Sequence, residues 1–172
     1  VGRIAQVTAG SAGNPGSVLV AAGHDLSVLM VSAVAAGGTA GVGVSAGVGV
    51  VDLDTDAELR RGADVTSTAD TVVAAHGQES MVAVVATASG GVAGVAGAVV
   101  VIVLDVHTYA TLEPVTIDAG GSVVVDAADD TKIVVVAGGV AGGVVGVGVG
   151  VGVTSATKDT QAFVAAGTTI DA

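Results

Sequence analysis

Three stretches of this chain align with one another without a gap: SVLVAAGHDLSVLMVSAVAAGG (17–38), DTVVAAHGQESMVAVVATASGG (70–91) and SVVVDAADDTKIVVVAGGVAGG (122–143). A second set, TDAEL (55–59), TYATL (108–112) and TQAFV (160–164), recurs at the same offsets of 53 and then 52 residues. Two separate anchors in one register mean that a single structural unit is used three times. Such units fold by stacking neighbour on neighbour rather than around one private core. The units run 17–69, 70–121 and 122–172; the leader at 1–16 holds Asn14-Pro15-Gly16 and reads as a loop or irregular turn. The last unit stops near the point where IDAGGSVVV (117–125) would lead into another copy, so the array is expected to continue beyond both ends.

Within a unit the residue types call for strands. In VVGVGVGVGV (144–153), valine alternates with glycine at period 2, the strand period. Valine is a mediocre helix former and glycine costs about 1 kcal/mol per helical position relative to alanine. Hydrophobic residues make up 51 % of the chain but aromatics only 1 %, with 28 glycines, which suits thin, closely spaced sheets better than a thick core. Each unit reads as two short strands, a Gly-Gly break (37–38, 90–91, 142–143) and a long alternating strand ending in Thr-x-Ala-x-apolar. A turn (Arg61-Gly62, Glu113-Pro114, Ala166-Gly167) and a closing strand follow. No segment has helical amphipathicity. The expected fold class is all-β: a β-solenoid (parallel β-helix) of about three repeats of roughly 52 residues. If each repeat makes two or three rungs of about 20 residues, the stack would be about 35–40 Å long.

The long strand has two different faces. One runs Gly41, Gly43, Ser45, Gly47, Gly49, Val51, Leu53, Thr55, Ala57, Leu59, and its end recurs as Thr108, Ala110, Leu112 and Thr160, Ala162, Val164. The other carries Val42, Val44, Ala46, Val48, Val50 and then Asp52, Asp54, Asp56, Glu58, and its later positions vary between units. A face that keeps residue type between stacked copies is packed, so the Thr-Ala-Leu face points inward. Two geometries satisfy this. A straight strand places glycine inside for close backbone approach and turns the valines outward as an interface. A corner near residues 50–53 would swap the faces and bury the valines. On the first geometry, Val42, Val44, Val48, Val50, Val147, Val149, Val151 and Val153 are the candidate self-association residues.

Charge excludes several functions. The net charge is −11, from 16 acidic and 5 basic residues (Arg3, Arg60, Arg61, Lys132, Lys158), too few cations to neutralise nucleic acid or an anionic membrane surface. Residues 26–51 and 133–157 carry no charge and are long enough to span a bilayer, but the Val/Gly alternation is a strand pattern. A membrane barrel would need aromatic girdles that one Tyr and one Phe cannot supply, so no membrane span is expected. There is no cysteine, hence no disulfide or thiolate chemistry. The chain opens at Val1 without a signal-peptide pattern and reads as a piece of something longer, any export signal lying elsewhere.

No catalytic constellation emerges, and the chain is read as a non-enzyme. Gly43-Val44-Ser45-Ala46-Gly47 matches the nucleophile-elbow spacing, but that motif needs a sharp strand-to-helix turn, and Ser45 lies inside an alternating strand. Gly41-x-Gly43-x-x-Ala46 matches a dinucleotide fingerprint with no helix to follow. No cofactor is expected apart from a weak Ca²⁺ candidate at Asp52, Asp54 and Asp56, neighbours on one strand face about 6.8 Å apart. Asp126, Asp129 and Asp130 read as a charged turn, and His24, His76 and His107 as exposed histidines at three different repeat positions.

GGVAGGVVGVGVGVGV (138–153), KDTQAFVAAGTTIDA (158–172) and AGGTAGVGVSAGVGVVDLDTDAEL (36–59) resemble the repeat region of giant bacterial secreted β-strand-repeat proteins, the leukotoxin-like and filamentous-haemagglutinin-like adhesins. The resemblance covers the chain from residue 17 onward; the leader does not share it. It implies secretion, a β-helical stalk and a role at the cell surface, with no active site in the repeats. The expected function is therefore a structural segment of an extracellular bacterial filament or cell-surface fibre, whose partner is itself, by head-to-tail or lateral assembly. The alternative is an adhesin module that binds glycan, or a host or neighbouring-cell surface, through its Asp/Thr face.

Overall fold

The computed structural model describes residues 5–172. Ten strands follow in order: β1 (Gln6–Ala9), β2 (Val18–Ala36), β3 (Ala40–Leu59), β4 (Asp64–Ser67), β5 (Thr71–Gly90), β6 (Ala93–Leu112), β7 (Thr116–Ala119), β8 (Val123–Gly142), β9 (Val145–Val164) and β10 (Thr169–Asp171). They form three parallel sheets, β2-β5-β8, β3-β6-β9 and β1-β4-β7-β10. The chain is an all-β parallel β-helix of three rungs.

Each repeat makes one rung, not two or three. The first 20 residues of a unit form one continuous strand instead of two short ones, and strands of 20, 20 and 4 residues complete the second rung. Three rungs at the inter-strand spacing place the outer two only about 10 Å apart, which corrects the longer stack expected from the sequence. Pairing joins equivalents: Val18 to Thr71 to Val123, and Ala40 to Ala93 to Val145. The unequal offsets come from the corner before the small sheet. Four residues (60–63) and four residues (165–168) turn it in the outer rungs, but only Glu113, Pro114 and Val115 turn it in the middle one. Gly62 (φ +82°) and Gly167 (φ +90°) take left-handed conformations there, and the Gly62 N–H donates to the Pro114 carbonyl at 2.9 Å. The leader is more than a loop: β1 pairs with β4 in parallel, Gln6 opposite Asp64.

The cross-section is a wedge. At its broad end three sheets enclose Leu59, Val65, Val73, Leu112 and Ile117; further along, two sheets enclose Met81, Val85, Val100, Ile102 and Leu104. At the thin end the chain reverses through Gly38, Gly91 and Gly143, all at positive φ. There the sheets approach so closely that a Cβ on Gly41 would lie 2.5 Å from the Gly90 carbonyl oxygen, and one on Gly150 2.3 Å from that of Ala137.

No corner interrupts the long strand. Gly41, Gly43 and Ser45 are buried at one end of β3 and Thr55, Ala57 and Leu59 at the other, all on one unbroken alternation. Val42, Val44, Val48 and Val50 are 67–71 % exposed. The corner reading is thereby corrected: the strand is straight and its valines face outward. The physical reason is the taper: the inward positions of β3 lie against β5 so closely that a Cβ on Gly41 would meet the Gly90 backbone and one on Gly43 the Thr87 side chain, so the valines of β3 must face out.

Gly41→Val is expected to destabilise the fold by about 1–3 kcal/mol, because its new side chain meets backbone that cannot yield. Gly97→Ala, whose Cβ would meet nothing nearer than 3.9 Å, is expected to be neutral or slightly stabilising. Urea unfolding followed by far-ultraviolet circular dichroism compares the two.

Candidate functional site

Between the two apolar clusters, a chain of polar side chains crosses all three rungs inside the solenoid. It starts on three strands of one sheet, at inward positions of their alternations. His24 of β2, Gly77 of β5 and Asp129 of β8 stack in one column, and Leu26, Glu79 and Thr131 in the next inward column. Facing them from the opposite sheet are Thr55 and Thr108, in register with Thr160, and Lys158.

Gly77 makes this column possible. A Cβ there would fall 2.3 Å from Asp129 Oδ2 and 2.7 Å from His24 Cε1, so the side chains above and below share the space that the middle rung leaves empty. His24 Nδ1 lies 2.5 Å from Thr55 Oγ1, and its Nε2 contacts Glu79 Oε1. Thr131 Oγ1 shares one hydrogen between Glu79 Oε2 (2.6 Å) and Asp129 Oδ1 (3.1 Å). Thr108 Oγ1 donates to Asp129 Oδ2 at 3.0 Å, and the Lys158 ammonium contacts the same carboxylate. The Glu79 and Asp129 side chains are fully buried, while Lys158 keeps 32 % of its side chain in solvent. Burial alone would raise the Asp129 carboxyl, but hydrogen bonds from Lys158, Thr108 and Thr131 together with the Lys158 charge outweigh it and hold it below the usual carboxylate value.

A groove of about 600 Å³ lies at this level on the outer face of β2-β5-β8, lined by the outward Asp25, His76, Gln78 and Asp130 as well as by His24, Gly77 and Asp129. His24, Glu79 and Asp129 each place a donor atom within 4.8 Å of the others. One imidazole and two carboxylates suit a borderline cation such as Zn²⁺ better than Ca²⁺. In the present arrangement the cation on Asp129 is the Lys158 ammonium. The network satisfies its own polar groups and ties β2, β5, β8, β3, β6 and β9 together at one level.

The sequence reading placed His24 among exposed histidines and Asp129 in a charged turn; both are corrected. Asp126, Asp129 and Asp130 lie within β8, with only Asp129 of the three pointing inward. The signal was present: His24, Glu79 and Asp129 each fall on the inward parity of a strand, flanked on that parity by Ala22 and Leu26, by Gly77 and Met81, and by Ala127 and Thr131. His76 is on the outer face as expected, 60 % exposed and 2.7 Å from Asp126.

The acidic row of β3 is on the outer face. Asp52 and Asp54 are exposed, and they group with His107 of β6, not with Asp56, as donors within 4.8 Å. His107 Nδ1 lies 3.2 Å from Asp54 Oδ1. Asp56 instead borders a small groove of about 240 Å³ with Ala57, Glu58, Tyr109 and Thr111. The Tyr109 hydroxyl donates to Asp159 Oδ2 at 2.7 Å. That hydrogen bond, with burial and the surrounding carboxylates, pushes the phenol up to about 12, and it lowers the Asp159 carboxyl.

The valine rows share the remainder of this outer surface. Val42, Val95 and Val147 stack in one column, Val48, Val101 and Val153 in another, with Val44 and Val149 flanking Gly97. Val147, Val149, Val151 and Val153 are 45–54 % exposed. Ser45, by contrast, is buried, with its hydroxyl 2.5 Å from Thr87 Oγ1, and the strand runs through it without an elbow. Residues 26–51 and 133–157 are strands and tight turns, and among the described residues no helix is long and apolar enough to cross a membrane.

Comparison of the chain with protein-family models, with characterised proteins and with solved structures finds no match.

Glu79→Leu removes the acceptor for His24 and Thr131 and is expected to cost about 3 kcal/mol or more, against less than about 0.5 kcal/mol for Glu58→Ala on the surface; urea unfolding measures both. Tyr109 offers a second test, since the chain has one Tyr and no Trp. Its raised value favours the neutral phenol, so the stability it contributes is complete below about pH 10 and is lost as pH rises through about 12. Tyrosinate absorbance is expected to titrate near 12 in the parent and to move back toward about 10 in Asp159→Asn.

Proposed function

We propose that this chain is a structural segment of an extracellular bacterial filament or cell-surface fibre, assembling with copies of itself. The observation that carries the reading is the parallel in-register ladder. Each repeat is a flat rung whose upper and lower edges have the same strand layout, and the described rungs leave β2 and β3 unpaired on one side and β8 and β9 on the other. Such edges present rows of free N–H and C=O groups that a further rung satisfies without any change of fold. The outward Gly/Val surfaces offer a second, lateral mode of association. The likeness of the repeats to those of secreted bacterial β-strand-repeat adhesins supports an extracellular setting.

A second reading is an adhesin module that holds glycan or another surface on its acidic face. It is favoured by the groove in which Tyr109 stands beside Asp56 and Glu58, an aromatic ring next to carboxylates that can accept from sugar hydroxyls. The inward position of Thr55 and Thr108 takes the threonine column away from that face.

Cryo-electron microscopy of the purified chain at neutral pH separates the two. Filaments with an axial repeat near 4.8 Å are the expected result. A population that stays monomeric up to millimolar concentration and binds oligosaccharide through Tyr109 would replace the fibre reading with the adhesin one. Addition of Ca²⁺ or a chelator in the same experiment shows whether Asp52 and Asp54 take part.

A further inference from the structure

The structure partitions charge along the strands rather than between inside and outside. Val28–Val51, Met81–Leu104 and Ile133–Ala156 stack in register, and no Asp, Glu, Lys or Arg occurs in any of them. One end of the wedge, about 33 Å of strand in β2-β5-β8 and about 40 Å in β3-β6-β9, is therefore free of charge through its full thickness. Beyond it, the outer face of β3-β6-β9 carries six carboxylates (Asp52, Asp54, Asp56, Glu58, Asp105, Asp159) and no Lys or Arg.

We infer that this charge-free face of β3-β6-β9 packs against the same face of a second copy, with the strands of the two copies running antiparallel. The inference rests on the fibre reading above and gives it a lateral geometry. Face-to-face sheets pack about 10 Å apart, close to the Debye length of about 8 Å at physiological salt. A parallel overlap would hold the two carboxylate rows at that distance with Arg60, paired to Glu58, as the one Lys or Arg beside each row among the described residues. Antiparallel overlap brings valine onto valine and sends the two acidic halves to opposite ends. The two-fold axis that does this is parallel to the stacking direction, so both columns of rungs grow the same way and head-to-tail addition extends them together. The alternative axis, along the strands, reverses one column.

Area couples the two modes of assembly. Twelve residues by three strands cover roughly 40 by 14 Å, or about 560 Å², short of the about 800 Å² per partner of a stable interface. Two stacked copies supply that area, so lateral pairing follows stacking. A bilayer is the less suitable occupant, because hydrocarbon cannot satisfy the free N–H and C=O groups along the edge strands, whereas a second copy covers side chains and leaves the edges free to pair.

Filaments of the parent chain and of Val48→Glu, imaged by cryo-electron microscopy at low salt, test this. Val48 is 68 % exposed, so the variant is expected to keep the fold, which circular dichroism checks. The expected result is parent filaments about 90 Å wide, two rungs of about 65 Å overlapping by about 40 Å, and single columns about 65 Å wide for Val48→Glu. A short bismaleimide is expected to join Val42→Cys to Val50→Cys in a mixture and to leave each alone unjoined. Single-column parent filaments with the 4.8 Å repeat would overturn the pairing and leave the fibre reading standing. Self-joining of Val42→Cys would overturn the antiparallel geometry. Flotation of the parent, but not Val48→Glu, with phosphatidylcholine vesicles would assign the face to lipid and overturn the proposal. The absence of any 4.8 Å ladder would remove the fibre reading and the pairing with it.

Discussion

Every other feature of this molecule depends on the parallel backbone ladder, in which each residue bonds to its own equivalent in the next repeat. A ladder of this kind stacks like on like. Thr55 lies over Thr108 over Thr160, and Asp52 over Asp105, because the chain returns to the same place after 52 or 53 residues. The middle rung loses one residue at the corner before β7 and regains register at once, since the turn absorbs the change outside the ladder. Backbone hydrogen bonds are indifferent to side chain, so the ladder tolerates a chain with almost no aromatic residues and so little volume to bury.

The taper decides which side chain goes where. At the broad end, Leu59, Leu112 and Ile117 fill a three-sided core in the ordinary way. At the thin end of β3 and β9, the order is inverted: mainly glycine lies inside and valine outside, while the facing β5 keeps Val85, Thr87 and Ser89 inside. Close approach of two backbones leaves no room for a larger group, and the hydrophobic surface that would normally be inside is displaced to the outer faces. The apolar exterior is a consequence of the thin interior.

Low-complexity alternation has one weakness, which the buried polar chain offsets. Sliding a Val-Gly strand by two residues changes little in its packing. Moving His24, Glu79 or Asp129 by two residues would leave buried carboxylates without partners, a cost of several kcal/mol. The network stands where the apolar half meets the charged half, and it fixes the level at which all three rungs align. The left-handed glycines at the reversal, Gly38, Gly91 and Gly143, fix the other end.

The repeat, its period, the strand character and the existence of a small inward face and a varied outward one were legible in the sequence, because period 2 and a recurring offset are local patterns that any straight strand must show. The inward threonines and the outward valines also follow from parity once the strand is straight. What parity cannot report is distance. Whether a 52-residue unit closes in one rung or several, whether the valines face a corner or solvent, and that His24, Glu79 and Asp129 meet across three repeats were decided only when two long sheets closed on each other. Their separation is set by side chains from both, and no single strand carries that information.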